Sequence, residues 1–392
     1  MINQETLNLG TERSCIRQLF EYGLMRAKEV GPERVYDFSL GNPSIPAPRE
    51  VKEAICALLE EENSLSLHGY TTAAGLPETR QAIAENLNSR FGAAVRPEDL
   101  FLIGGAAPAL CAVLKALQTK HSEVIALCPY FPEYKPFAQM AGQKFVTVEA
   151  NLPDFSIPLA GLEKAINQNT AAIIVNSPNN PSGVVYTREN LEALSRLLTR
   201  KAAQVGHPIY LIADEPYREL VYEDAEVPFL PGIYKNTVVC YSYSKCLSLP
   251  GERIGYIYVN QFADNSETLY AAIAGAARAL GHVCAPSLMQ KAIARCTGIG
   301  PDLTAYDKNR KALYEGLKEL GYEMPKPLGA FYLLVKAPGG DARAFSEKAK
   351  ALDLLIVPGD DFGIPGYFRL CYCVDYEKIV GSLPLFKKLL TP

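Results

Sequence analysis

From about residue 100 to residue 260 the chain alternates short, uncharged apolar runs with longer segments whose apolar residues recur at helical spacing. The runs at 101–103, 124–127, 145–148, 171–175, 209–213, 238–241 and 256–259 contain no acidic or basic residue. They are too short for ordinary helices and too uniformly apolar for strands with one wet face, so they read as strands buried on both sides. Between them lie stretches such as 191–204, where Leu191, Leu194, Leu197 and Leu198 share one helical face. A strand buried on both faces needs cover on both, and helices that return the chain to the next parallel strand supply it. The pattern therefore predicts an α/β class: a large domain with a mainly parallel seven-stranded sheet covered by helices.

The rhythm changes after Pro286. A long amphipathic stretch runs through Leu320, followed by apolar runs at 331–335, 354–357 and 368–374 that read as strands among helices. The first 49 residues, interrupted by Gly41, Asn42, Pro43, Pro46 and Pro48, are too short for a core of their own. A chain of 392 residues also exceeds the roughly 250 to 300 residues at which one hydrophobic core stops growing. The expected organisation is a large domain over 50–285 and a smaller α+β domain formed by both termini, 1–49 and 286–392.

Composition narrows the function classes. With 48% hydrophobic and 21% charged residues, the chain has the material for packed cores. A net charge of −4 without a lysine and arginine cluster argues against nucleic acid and against an anionic membrane surface as partners. The polar first ten residues lack a secretory pattern, and no apolar run reaches the roughly 20 residues that span a bilayer, so a cytoplasmic location is expected. The ten cysteines are scattered, as suits thiols in a reducing compartment. Cys371 and Cys373 form a C-x-C pair inside the apolar, aromatic run 367–374, where alternate residues share a strand face, so they read as strand packing rather than a metal site. His68, His121, His207 and His282 have no second ligand at zinc spacing, and no metal site is expected.

In an open parallel sheet, ligands bind beyond the carboxyl ends of the strands. Run 101–103 is followed by Gly104-Gly105-Ala106-Ala107 and a helix-like segment, which leaves backbone N–H groups able to hold a phosphate, although an ordinary strand-to-helix turn has the same composition. Run 171–175 is followed by Asn176-Ser177-Pro178-Asn179-Asn180-Pro181-Ser182-Gly183, residue types that also serve plain turns. Run 209–213 leads into Asp214-Glu215-Pro216-Tyr217, where a helix cap would equally explain the aspartate. Run 238–241 leads into Ser242-Tyr243-Ser244-Lys245 and then Pro250-Gly251-Glu252-Arg253-Ile254-Gly255. A lone lysine is ordinarily a solvated surface group.

Taken together, in this order and at this spacing, the four segments resemble the fold-type-I pyridoxal-phosphate aminotransferases of the aspartate aminotransferase superfamily, classes I and II, over nearly the whole chain. The resemblance implies an enzyme that moves an amino group between an L-amino acid and a 2-keto acid, with pyridoxal 5'-phosphate as cofactor. It makes Lys245 the Schiff-base lysine, Asp214 the partner of the pyridine nitrogen, and Asn180 and Tyr217 the partners of the phenolic oxygen. Gly105, Ala106, Ala107, Ser242, Ser244 and Arg253 would hold the phosphate, and Phe131 in Pro129-Tyr130-Phe131-Pro132 would stack on the ring. Arg369, with Asn180, would bind the substrate α-carboxylate, while Gly41 belongs to the loop that closes over it. Tyr70 matches a tyrosine that reaches the phosphate of the neighbouring subunit, which implies a homodimer with shared active sites.

The chemistry suits these roles. An ionised carboxylate favours a protonated nitrogen by about 1 to 3 pKa units, and a protonated pyridine is an electron sink. A guanidinium fork matches a planar carboxylate or a phosphate. Departures also exist: many relatives have serine, threonine or lysine at Ala106 and Ala107, and tryptophan at Phe131. The extra arginine of dicarboxylate-specific relatives has its nearest counterpart in Arg278. A β-lyase using the same cofactor would keep every residue named above. A cofactor-binding regulator would need a DNA-binding domain, for which the segment before Gly41 leaves no room.

Overall fold

The computed structural model describes residues 1–11 and 14–391. Its strands are β1 (Tyr36–Asp37), β2 (Leu100–Ile103), β3 (Glu123–Leu127), β4 (Lys144–Val148), β5 (Thr170–Asn176), β6 (Tyr210–Asp214), β7 (Thr237–Ser242), β8 (Gly255–Val259), β9 (Tyr332–Lys336), β10 (Leu354–Leu355), β11 (Val357–Pro358) and β12 (Tyr367–Cys371). Among the described residues, seven form one sheet in the order β2-β8-β7-β6-β5-β3-β4. β3 to β7 pair in parallel, and β8 runs antiparallel between β7 and β2. The α/β class and the mainly parallel seven-stranded sheet are as the apolar runs predict.

The two-residue period of a strand explains why those runs are continuous. Along β5, Ile173 and Val175 enter the core on one face while Ala172 and Ile174 enter a second core on the other. β2 divides likewise, Leu100 and Leu102 against Phe101 and Ile103. Helices seal both faces. In Arg188–Val205, Thr187 caps the first turn by accepting from the Asn190 N–H, and Leu191, Leu194, Leu197 and Leu198 are buried. Each such leucine contributes about 2 kcal/mol relative to exposure.

A second sheet, β11-β12-β9, is antiparallel, and β1 pairs in parallel with β10, tying the N-terminal segment to the C-terminal part. Arg26 adds an ion pair to Asp353 across the same junction. The amphipathic stretch from Pro286 to Leu320 folds as two helices, Ser287–Cys296 and Thr304–Glu319. Gly298, Gly300 and Pro301 lie between them, and glycine and proline disfavour helix interiors. The first of the two packs on helices Arg49–Glu61 and Pro77–Phe91, the second on Tyr376–Leu389. No helix among the described residues is long and apolar enough to cross a membrane.

Register decides where the candidate residues meet. Asn176 pairs with Asp214, Asp214 with Cys240, and Ser242 with Gly255, which also pairs with Ile103. The ends of β5, β6 and β7, the start of β8 and the turn after β2 therefore reach one edge of the sheet together.

Candidate active site

At the centre of that edge stands Asp214, buried at 4% exposure. Tyr134, on the helix Tyr134–Ala141, donates its hydroxyl to Asp214 Oδ2, and the Asn176 side-chain amide donates to the Asp214 carbonyl at 2.8 Å. Asp214 Oδ1 is buried without a hydrogen-bond partner among the described residues. Burial pushes this carboxyl up to about 7, against the opposing hydrogen bond from Tyr134. An orphaned carboxylate oxygen in such a place is stabilised by a cationic or N–H-bearing partner. A protonated ring nitrogen fits that requirement.

Asp214 lines a cavity of about 70 Å³ together with Ala106, Ala107, Phe131, Asn180 and Tyr217. Phe131 is half-buried at its wall and meets Tyr134 edge-on, with centroids 5.7 Å apart. Asn180 is held by its N–H donating to Asn176 Oδ1 at 2.7 Å. The Tyr217 hydroxyl lies 3.0 Å from that of Tyr332, and burial pushes Tyr217 up, so it stays protonated.

Ala106 and Ala107, which line the same cavity, also belong to a group of residues suited to hold an anion. Gly105 caps the helix Ala106–Ala116 with φ +103°, a conformation that favours glycine. A Cβ there would stand 2.9 Å from Arg253 Nη2 and 3.3 Å from Ser242 Oγ. The Ala106 and Ala107 N–H groups belong to the first turn and have no intrahelical acceptor. Ser242 and Ser244 hydroxyls are 2.8 Å apart, and Arg253 donates to Ser244 Oγ at 3.4 Å and to the Pro250 carbonyl at 3.0 Å. Hydroxyls, first-turn amides and a guanidinium converge as a phosphate requires.

Lys245 sits in the short helix Tyr243–Cys246 directly after β7. Its Nζ donates to the Gly41 carbonyl at 2.7 Å and lies 5.4 Å from the Phe331 ring centre. Burial lowers the ammonium from its ordinary value, opposed by Cys373 and Cys371 and reinforced by Arg369 and Arg253. Arg369, on β12, is buried at 2% exposure. It donates to Asn180 Oδ1 at 3.1 Å and to the Ser39 carbonyl, and stacks on Tyr332 and Phe362 at 4.7 and 5.0 Å. Among the described residues no carboxylate pairs with it, so a buried cation is left without a counter-charge. Gly41 has no room for a side chain, since a Cβ would overlap the Tyr332 hydroxyl.

A family model for aminotransferase class I and II matches residues 33–380. The chain belongs to that family. A solved aminotransferase from Eubacterium rectale is 52% identical, covers 99% of this chain and 98% of its own, and superposes with a TM-score of 0.98. The aspartate aminotransferase of Thermus thermophilus solved with maleate is 29% identical over the full length of both chains, with a TM-score of 0.86. The aspartate/prephenate aminotransferase of the same organism is 31% identical over 362 residues, 89% of each chain.

Not every residue expected at the aminotransferase site meets the others in this chain. Tyr70 is 89% exposed on the loop after the helix Ser64–His68, and Arg278 is exposed near the end of the helix Ser266–Ala279. Glu215, next to Asp214, turns instead to a buried ion pair with Arg218. Sequence reasoning missed Tyr134, Asn176, Ser39 and Tyr332. Asn176 opens the amide-rich turn and Tyr134 follows Phe131 by three residues, so position gave some signal for both. Tyr332 reads as one more aromatic in an apolar strand, and Ser39 acts through its carbonyl, which no side chain reveals.

Proposed function

We propose that this aminotransferase uses pyridoxal 5'-phosphate to move an amino group between an L-amino acid and a 2-keto acid, in the cytoplasm and as a homodimer. The observation that carries this reading is the convergence of Lys245 and Arg369 on one short segment. The amine donates to the Gly41 carbonyl and the guanidinium to the Ser39 carbonyl, two residues apart in sequence. In an amino acid the α-carbon carries the carboxylate directly, so a group that moves the α-proton and a group that binds the carboxylate must stand this close.

Pyridoxal phosphate, when bound, supplies a carbonyl carbon that takes up the amino group and a protonated ring that draws electrons from the α-carbon. The rest falls to side chains. Asp214, oriented by Tyr134 and Asn176, would keep the ring nitrogen protonated, and that positive partner would favour the carboxylate that burial disfavours. Asn180 and Tyr217 would hold the phenolic oxygen. Gly105, Ala106, Ala107, Ser242, Ser244 and Arg253 would hold the phosphate, through backbone N–H groups where relatives use side chains at Ala106 and Ala107. Lys245 would form the covalent link and then, as a free amine of lowered basicity, carry the proton to and from the α-carbon. Arg369 would fix the α-carboxylate, with Asn180 beside it.

A panel of acidic, aromatic and aliphatic amino acids, assayed for keto-acid formation with and without an acceptor keto acid, tests this function. Product that requires the acceptor is the expected result. Keto acid released equally without an acceptor would assign a β-lyase instead.

Exposure supports the further reading that the active sites are shared between two copies. Tyr70 and Leu65, at 89% and 85%, are large residues left open in a single copy of the chain, and a second copy would cover them. Tyr70 would then act on the phosphate near Arg253 of its partner. In a mixed dimer of Lys245→Ala with Tyr70→Phe, one site collects both defects and the other is intact, so activity should return at half the sites. Tyr70→Phe alone should lose about tenfold or more, the value of a hydrogen bond to a charged group. A hybrid no more active than its parents would rule the shared site out.

A further inference from the structure

The chemistry described above leaves the thiols of Cys371 and Cys373 unused, although they lie against the groups that perform it. β12 ends at Cys371, so the pair does not continue as one strand face. Instead the two side chains converge, with their sulfurs 2.9 Å apart and both residues buried. Cys373 Sγ lies 3.9 Å from the Leu40 carbonyl, beneath the segment that carries Ser39 and Gly41. Leu40 itself is 39% exposed, so the segment in contact with the pair reaches solvent.

Their surroundings make the two thiols unequal. Burial opposes ionisation of Cys371, but the Cys373 S–H and the positive charges of Arg369 and Lys245 outweigh it and hold Cys371 below its ordinary value. Burial and the neighbouring Cys371 push Cys373 well up. Cys15, Cys111, Cys128, Cys240, Cys246 and Cys296 are all raised, chiefly by burial. One sulfur disposed to be thiolate, beside another that keeps its proton, is the arrangement that thiol oxidation uses, because the thiolate is the nucleophile.

We propose that Cys371 and Cys373 are a redox-active dithiol in the wall of the active site, converted to an intramolecular disulfide by hydrogen peroxide. The Cys371 thiolate attacks one peroxide oxygen and the O–O bond breaks. One water leaves after protonation, and a sulfenic acid remains. Cys373 sulfur then bonds to Cys371 sulfur, its proton leaves with the hydroxyl, and a second water is released. Two thiols lose two electrons and one peroxide gains them.

The consequence for the site runs through the backbone. The Cys371 N–H donates to the Phe38 carbonyl at 3.0 Å, and the next residues offer the carbonyls that anchor Arg369 and Lys245. A disulfide constrains the geometry of the residues it joins and, through that hydrogen bond, displaces the Ser39–Gly41 segment. Oxidation therefore lowers turnover, and reduction restores it. The modification itself does not depend on the proposed aminotransfer; only its effect on turnover does.

The test uses the cofactor-loaded protein treated with hydrogen peroxide, denatured, alkylated with N-ethylmaleimide and cut with trypsin. Cleavage after Arg369 and Lys378 places both cysteines in peptide 370–378. That peptide should carry no maleimide and be lighter by two hydrogen atoms, and dithiothreitol given before alkylation should restore both adducts and the turnover together. In Cys373→Ser the resolving thiol is gone, so dimedone should label Cys371. The exposed Cys56 is the internal standard. If Cys371 and Cys373 are both still alkylated at a peroxide dose that has oxidised Cys56, the proposal fails. A disulfide formed with turnover unchanged would overturn its link to the site while leaving the aminotransferase reading intact.

Discussion

Replacing Lys245 with alanine is expected to abolish turnover while leaving cofactor binding partly intact. Two functions disappear with one amine. The covalent link to the cofactor cannot form, and the α-proton loses its carrier, which alone is worth about 100-fold to 10,000-fold. The phosphate cradle and the Asp214 contact do not involve the lysine side chain, so affinity should drop without vanishing. The fold should survive, because Nζ makes one hydrogen bond, to the Gly41 carbonyl, and no ion pair among the described residues. Borohydride reduction of the wild-type protein with pyridoxal phosphate, followed by peptide mapping, checks the assignment independently of rate. A label on Lys245 supports it, and a label on any other lysine refutes it.

The large sheet was legible because six of its seven strands are buried on both faces, which erases the polar alternation that would blur their limits; the seventh, β4, lies at the sheet edge with Lys144 and Thr147 exposed, so the reading of run 145–148 as buried on both sides does not hold there. Each observed strand lies within a residue or two of its apolar run. β1 was not legible, since two residues carry no period, and its pairing with Leu354–Leu355 depends on a contact more than 300 positions away. Within the amphipathic stretch from Pro286 to Leu320 apolar spacing continues across 296–304, but Gly298, Gly300 and Pro301 decide the backbone and divide it into two helices. Cys371 and Cys373 read as strand packing, yet the strand stops at the first of them and the sulfurs touch.

At the candidate site, order and spacing pointed to the residues whose types are chemically distinctive. They did not reveal how side chains are aimed. Arg369 shows this best: from sequence an arginine in a strand belongs at the surface, yet here it is buried on amide and carbonyl oxygens and two aromatic rings. None of these partners is a charge, and so no complementary residue in the sequence could have signalled its burial. Tyr134 is similar, because only the register that puts Asp214 at the end of β6 makes its hydroxyl relevant.

That buried guanidinium leads to the second large effect. Arg369→Ala should raise the substrate concentration required for turnover by roughly 30-fold to several thousand-fold, the equivalent of about 2 to 5 kcal/mol for truncating one member of a buried charge pair. Arg369→Lys should recover part of this at best, because an ammonium cannot present the two parallel donors that a carboxylate accepts. The alanine variant also releases Asn180 Oδ1 and the Ser39 carbonyl, so cofactor affinity and thermal stability must be measured beside the kinetics. The expected pattern is near-normal cofactor titration with a steep loss in kcat/KM for every amino acid donor, since all of them carry the α-carboxylate. A loss confined to acidic donors would move Arg369 to side-chain recognition. Cofactor lost with normal substrate kinetics in the fraction that remains loaded would assign the carboxylate to another group.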